Sequence, residues 1–319
     1  RSDYMLDAFA AGLVVFGDEP IRIRDRKDFD RLDRADVGVQ VCFPNRHHDG
    51  SDLAVFRLTA YQRLADAGKR VLTIDTGFIR NQSDVELGLA ARSFDLRNPK
   101  TYPQFDPLIH YATGYDGIKR NADYAVGAYS DARWKKLGAK IRPWRKNGNH
   151  ILLIGQPIHG QSSQHADIRD WYAKVTQDIR KVTARPILYR AHPRIFTLRT
   201  SKARKLRDQV MIKRAVGRTT HFQQTRNCLL KDDLRDAWTT VVFTSNAAVE
   251  SLLRGIPTIT CDPACIAWDV TEHLASAAAS PVTMERTDWL NKLTYCQWSV
   301  SEFRSGECWA QMRQKARLT

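Results

Sequence analysis

Ile151-Leu152-Leu153-Ile154-Gly155-Gln156 opens the part of the chain that decides the fold, residues 149–257. Four apolar residues run straight into a polar turn. The same plan recurs at Pro186-Ile187-Leu188-Tyr189-Arg190, which leads into Ala191-His192-Pro193-Arg194. It recurs again at Thr240-Val241-Val242-Phe243, which leads into Thr244-Ser245-Asn246. A polar helix is expected over residues 164–183, and a second helix carries Glu250. Gly255-Ile256-Pro257 then introduces a fourth run, Thr258-Ile259-Thr260. Short β-branched runs closed by polar turns and separated by helices read as parallel strands of an α/β sheet.

Ligands of open parallel sheets bind beyond the carboxyl ends of the strands. Gly155, Gln156, His192, Arg194, Thr244, Ser245 and Asn246 fall at such ends, and Glu250 lies one turn into the next helix. Asn246 or Ser245 suits the N-cap of that helix, so backbone N–H groups are expected to point into the same crevice. Those donors, with a histidine and an arginine, suit a diphosphate or nucleotide, and Glu250 suits ribose hydroxyls. The structural alternatives are a packing histidine before proline and a solvated helix carboxylate.

Glu250-x4-Gly255-x-Pro257 resembles the nucleotide-sugar motif in the C-terminal domain of GT-B glycosyltransferases. In that family the Glu holds the donor ribose and the Gly-x-Pro turns the chain into the next strand. His192-Pro193 and Thr244-Ser245 are similar to the His-Pro and Ser/Thr-Ser motifs of bacterial sialyl- and Kdo-transferases of capsule synthesis, where they bind the donor nucleotide. The motifs are short, and the resemblance covers only part of the chain. It implies an α/β protein of the GT-B class, with two Rossmann-like domains facing a central cleft. The donor would be a nucleotide sugar, by preference a UDP-sugar, with no tightly bound cofactor and no metal requirement. The expected domains are an acceptor-binding domain over residues 1–145, a nucleotide-sugar-binding domain over 146–285, and helices over 286–319 that pack back on the first domain.

Composition narrows the class. A chain of 319 residues suits two α/β domains, and 43% hydrophobic residues is ordinary for a globular protein. No apolar run approaches the roughly 18 residues of a membrane span. The chain opens on Arg-Ser-Asp without an initiator Met or an apolar signal core, which suggests a trimmed start, although removal of a signal peptide would look the same. Six scattered cysteines suit reduced thiols in a cytoplasmic enzyme, or in host cytoplasm if the protein is viral, and a monomer is expected. Cys261 and Cys265 are the one close pair, and no further ligands at zinc spacing accompany them. The net charge of +15 points to a polyanionic partner, with double-stranded DNA foremost and anionic lipid or acidic glycan as alternatives.

The first half reads as a second α/β unit. A short helix is expected at residues 4–12 and a strand at 13–16, followed by a solvated Arg/Asp helix at 21–34. A strand at 36–43, an amphipathic helix at 51–67 and a strand at 69–74 make a β-α-β unit that delivers the His47-His48-Asp49 loop and Asp75 to one edge. Residues 81–117 read as irregular. Cations interleave with aromatics over residues 119–146 in a pattern that suits phosphates with bases or sugars. Arg120, Arg133, Lys136, Arg142 and Trp144 there, and Lys202, Arg204 and Lys205 later, are the candidate polyanion contacts. The alternative is an ordinary basic helix and linker.

Transfer to a hydroxyl needs a base. Asp75, at the end of a central strand, is the first candidate; Asp18, His48 and Asp49 follow. DNA-modifying glycosyltransferases of bacteriophages are GT-B enzymes with a basic cleft and an Asp base, and this chain resembles them in architecture and charge. The reaction expected is therefore sugar transfer to a hydroxymethylated pyrimidine in DNA, flipped from the duplex. Other readings are a capsule or lipopolysaccharide glycosyltransferase, a non-catalytic nucleic-acid-binding protein on this scaffold, and a nucleotide-sugar epimerase.

Overall fold

Helix α1, Ser2–Val14, stands where a short helix and a strand at residues 13–16 were expected. Met5, Ala8 and Phe9 recur at helical spacing and are buried, and the helix runs on through Leu13. Val14, Val15 and Phe16 are exposed at its end, so their β-branching has no sheet to serve. The structure, a computed structural model, describes residues 2–42, 52–79, 110–156, 168–192, 210–214, 220–223 and 229–316. The chain divides into two units, Arg1–Ala139 with Thr287–Thr319, and Lys140–Arg286.

In the first unit, the Arg/Asp-dense stretch forms a 3-10 helix, Arg26–Arg34. Asp25 caps it by accepting from the Lys27 N–H at 2.7 Å, and Phe29 and Leu32 anchor it in the core. Strand β1, Val37–Val41, leads through α2, Asp52–Asp66, to a parallel strand β2, Arg70–Thr76, with Val37 opposite Arg70 and Val41 opposite Ile74. The β-α-β reading holds here. The sheet then departs from it. Strand β3, His110–Tyr115, lies antiparallel to β2 within a region that reads as irregular, because its prolines mask a short aromatic strand. Strand β9, Gln297–Ser299, lies antiparallel to β3, inside a stretch read as helical. The order is β1-β2-β3-β9. Helix α3, Ala132–Leu137, is the helical part of the basic segment. Helices α7, Thr287–Thr294, α8, Val300–Arg304, and α9, Glu307–Met312, complete the unit. Leu72, Ile74, Tyr111, Tyr115, Trp298, Phe303 and Met312 share its main core with Phe9.

The second unit is the parallel sheet. Strand β4 is His150–Ile154, β5 Ile187–Arg190, β6 Thr220–Gln223, β7 Ala237–Val242 and β8 Thr258–Thr260. Helix α4, Ile168–Val182, joins β4 to β5; α5, Leu230–Asp233, precedes β7; and α6, Ala247–Leu253, joins β7 to β8. All four pairings are parallel, in the order β6-β5-β4-β7-β8. The chain winds from β4 outward through β5 and β6, then returns to the other side of β4 for β7 and β8. The direction of winding reverses between β4 and β7, and such a reversal opens a crevice at the carboxyl ends of those strands. Ile168, Tyr172, Val175 and Ile179 form the apolar stripe of α4 against Ile151, Leu153, Ile187 and Tyr189.

Candidate functional site

The reversal point is built from two strand ends and one buried glutamine. β4 ends in Gly155-Gln156, and β7 ends before Phe243-Thr244-Ser245. Gln156 is 2% exposed. Its side-chain Oε1 accepts from the Thr244 N–H at 2.8 Å, and its Nε2 donates to Thr244 Oγ1 at 2.9 Å. The carboxamide thus acts as an extra peptide unit that carries the β4–β7 pairing past the strand ends. Below it, Tyr172 Oη donates to the Gln156 carbonyl at 2.8 Å and accepts from the Gln156 N–H at 2.6 Å. Tyr189 Oη donates to Tyr172 Oη at 3.3 Å. Burial pushes the Tyr172 phenol up to about 12, so it stays protonated as this arrangement requires. Gly155 is a glycine for a steric reason: a Cβ there would run into the Tyr189 hydroxyl.

Past Thr244 the backbone turns into α6. Ser245 Oγ accepts from the Ala247 N–H at 3.3 Å, so Ser245 supplies the cap, and Asn246 makes no side-chain cap bond. The N–H groups of Ala248 and Val249 return to the carbonyls of Ser245 and Asn246. Among the described residues, no acceptor meets the N–H groups of Ser245 and Asn246 themselves. The expected outward donors therefore narrow to these two amides. Glu250 lies half-buried one turn on, with Arg254 feeling its charge. Gly255 ends α6 with φ at +70°, and a Cβ there would collide with the Pro143 carbonyl; the Gly-x-Pro turn is thus fixed by backbone geometry.

His192 follows β5 at the same sheet edge and is half-buried. Arg194, Lys202, Arg204, Lys205, His48 and Asp49 lie outside the described residues. Beside β8, segment 271–273 adds a parallel bridge, and His273 stacks on Trp268 at 3.4 Å between ring centroids. That pair sits at the carboxyl edge as well, and its five-residue spacing gave no helical or strand signal to find it by.

In the first unit, Asp75 sits half-buried near the carboxyl end of β2, the second strand of its sheet. Its Oδ1 accepts from the Thr76 N–H at 2.6 Å, and among the described residues no cation pairs with it. The neighbouring end of β1 is tied to β2 by the Cys42 N–H bond to the Ile74 carbonyl at 2.8 Å. Asp18 is remote in role: its carboxylate holds the Trp309 indole N–H at 2.6 Å.

The basic candidates separate. Arg133 is built into the first unit: it donates to the carbonyls of Thr294 and Gln297 at 3.0 and 2.9 Å, pairs with Glu302 at 3.0 Å, and lies over the Trp298 ring. Lys136 adds a second ion pair to Glu302 from an exposed position. Trp144 is covered by Arg286, whose guanidinium stands 3.5 Å from the ring centroid and donates to the Arg142 carbonyl. Arg120 and the side chain of Arg142 are exposed.

Two of the described thiols are held in the protonated form. Burial pushes Cys261 up to about 11 and Cys296 up to about 12. Among the described residues, no group of three His, Cys, Asp or Glu side chains is placed to hold a metal. No described helix is long and apolar enough to cross a membrane.

No protein-family model and no curated protein sequence matches the chain. Solved structures do. The chain is similar to the Thermosulfurimonas dismutans KpsC β-Kdo 2,4 transferase at 15% identity and a TM-score of 0.51, over 92% of this chain and 96% of that one. It is also similar to the β-Kdo 2,7 transferase of the same KpsC, at 14% identity and a TM-score of 0.41, over 99% and 97% of the two chains. Identity this low speaks to the fold alone. The first of these likenesses spans both units, so the chain is an α/β protein with the fold of GT-B glycosyltransferases.

Proposed function

We propose that the protein is a glycosyltransferase that takes a sugar from a nucleotide-sugar donor held at the strand-end crevice of the second unit. One observation carries the reading. The Gln156–Thr244 lock fixes the turn at the winding reversal of the sheet and leaves the Ser245 and Asn246 amides without acceptors among the described residues. Two fixed N–H donors at such a point suit a phosphate, and they need no reorganisation as charge builds on a departing diphosphate. Glu250 is the acceptor for ribose hydroxyls, and His192 the second side chain toward the phosphates. Asp75 is the base proposed for the acceptor half. The acceptor oxygen bonds to the anomeric carbon, its proton passes to the Asp75 carboxylate, and the bond from that carbon to the phosphate oxygen breaks with its electrons on the nucleotide. No step calls for a metal.

The acceptor proposed is a glycan hydroxyl. The aromatic-basic strip that suggested DNA gives Arg133 and Trp144 to internal contacts. The Thermosulfurimonas protein similar to this chain at a TM-score of 0.51 is a Kdo transferase, which fits a glycan acceptor. A hydroxymethylated base in duplex DNA is the second reading, favoured by the net charge of +15.

The test is titration of UDP- and CMP-sugars by calorimetry, followed by mass spectrometry of acidic oligosaccharide and hydroxymethylpyrimidine DNA incubated with each donor that binds. Binding of one donor class, weakened about tenfold or more in Glu250→Ala, supports the donor site. A sugar-sized mass gain on one acceptor then names it. Absence of any nucleotide binding overturns the reading of Ser245, Asn246 and Glu250 together.

A further inference from the structure

The sheet of the first unit is polar at one place where a core would be apolar. Along β2, Leu72 and Ile74 pack with Phe9 on the α1 side, and Val71 packs with Leu64 on the α2 side. Side chains alternate along a strand, so Thr73 and Asp75 face α2 with Val71. On β1, Gly38 faces the same way, because a Cβ there would meet Leu64 and Val71, and Gln40 follows two residues on. Gln40 stands opposite Thr73 in the register. Ala112, the partner of Asp75 on β3, adds only a methyl group to that face. Gln40, Thr73 and Asp75 are thus neighbours toward the carboxyl end of β2.

Among the described residues, these three side chains make no hydrogen bond to one another. Thr73 is fully buried and its Oγ1 has no partner; the amide nitrogen of Gln40 is buried without one as well. Asp75 Oδ1 accepts from the Thr76 N–H at 2.6 Å and the Thr76 hydroxyl at 3.3 Å, and among the described residues nothing meets Oδ2. Buried polar atoms in folded proteins are nearly always hydrogen-bonded, to protein or to ordered water. Here two of them stand at one register position beside a carboxylate oxygen. The spacing suits a single water. Two residues along a strand rise about 6.6 Å, and neighbouring strands lie about 4.8 Å apart. A water with two partners spans about 5.6 Å between them. Gln40 also lines a cavity of about 900 Å³, which gives water a way in.

We infer that Gln40, Thr73 and Asp75 hold one buried water, and that Gln40 and Thr73 are positioning residues that act through it on the Asp75 carboxylate. The water accepts from Gln40 Nε2, shares a hydrogen bond with Thr73 Oγ1 and donates to Asp75 Oδ2, which gives it the three partners usual for buried water. With Thr76 on Oδ1, both carboxylate oxygens are then held, and each keeps a second lone pair for an incoming proton. Fixed aim of this kind is what a general base needs. The water site stands on its own; its effect on sugar transfer rests on the reading of Asp75 as the base.

The direct test is water cross-relaxation by NMR on the perdeuterated full chain, read at the Gln40 carboxamide after its through-bond assignment. A cross-peak to water with the sign of long residence is expected. Melting supplies a second readout that needs no activity. A hydroxyl that is simply stranded would be better replaced by a methyl group of the same shape, so Thr73→Val would raise the melting temperature. A hydroxyl that holds the water makes the same change lower it, by about 3 °C or more, with Thr73→Ser staying near the parent. Thr73→Val combined with Asp75→Asn should lose less than the sum of the two single losses, because both act on one water. In transfer, Thr73→Val should lower kcat about threefold or more with KM kept, and Thr73→Ser should restore it. Absence of the water cross-peak in the parent, or a rise in melting temperature in Thr73→Val, overturns the water site. A water present in an active parent, with kcat unchanged in Thr73→Val, overturns the positioning role. A water present in a parent that transfers no sugar sinks the glycosyltransferase reading and leaves the water site standing.

Discussion

Gln156→Met is the sharpest probe of the strand-end turn. Methionine keeps the length of the side chain and removes both hydrogen bonds to Thr244, which the structure places at 2.8 and 2.9 Å. Thr244 is 7% exposed and Gln156 2%, so water does not readily replace what is lost. A buried polar group left without its partner costs about 1–3 kcal/mol. The Thr244 N–H bears the full cost and its hydroxyl less, because it can rotate, so the loss should be about 2–4 kcal/mol. For a unit of this size that lowers the melting temperature by about 5–15 °C. The assay is calorimetric melting of parent, Gln156→Met, Thr244→Val and the double variant, with the transition of the second unit followed separately because two units need not melt as one. The cycle should return a coupling of about 1 kcal/mol or more between the two residues. Nucleotide affinity should fall in step, since the Ser245 and Asn246 amides lose their fixed aim. A single variant that melts within about 2 °C of the parent refutes the view of Gln156 as the element that extends the β4–β7 pairing.

Three further outcomes are expected. Burial works against ionisation of Glu302, yet the Arg133 charge, the Ser299 N–H and the bonds from Lys136 and Arg133 outweigh it and hold the carboxyl down at about 2. A depressed folded-state value stabilises above the ordinary range near 4.5 and is lost as pH falls toward about 2, so acid titration should remove up to about 3 kcal/mol across that window, and Glu302→Gln should flatten the curve there. Asp233→Asn removes the carboxylate charge that pairs with the buried Arg190 guanidinium and should cost about 3–5 kcal/mol by urea denaturation, with Arg190→Met plus Asp233→Leu recovering much of it. Gly255→Ala meets both the left-handed backbone and the Pro143 carbonyl and should cost more than about 2 kcal/mol; melting at the parent temperature would show that α6 ends in some other way.

Four of the five strands of the second unit were legible because their signals are local, whereas β6, Thr220–Gln223, lacks an apolar run and was not read. Each apolar run there is a strand whose neighbours are parallel, so strand, turn and helix follow one another at short range, and Ile151, Ile187, Val241 and Ile259 all fall in the core. What could not be read is whatever needs a partner far along the chain. β3 is a strand because β2 and β9 flank it, and β9 is three residues long with its partner at His110–Ala112. Gln156 was placed at the crevice from its strand-end position, but its bond to Thr244 spans 88 positions, and nothing in Gly155-Gln156 announces it. The Tyr172–Tyr189 support beneath it reads in sequence only as two more apolar positions.

Net charge shows the same limit from the other side. A count of +15 treats every arginine as a free cation, but many here serve as struts for carbonyl oxygens. Arg70 donates to Asp116, Asp123 and the Lys315 carbonyl and lies over Tyr115. Arg145 holds the carbonyls of Leu234 and Ala237 at 2.8 and 3.1 Å. Arg185 holds the Gly148 carbonyl while covering Trp238, and Arg286 does the same for Arg142 and Trp144. A carbonyl accepts a hydrogen bond without cancelling a charge, so such arginines keep their charge in the total while their N–H donors are already engaged and less free for direct contact with a polyanion. The planar fork that makes this arrangement work is absent from lysine. Among the described residues, direct contact with an acidic partner then falls to exposed positions such as Arg34, and a salt-dependent affinity that tracks such residues, rather than the total, is the expected outcome.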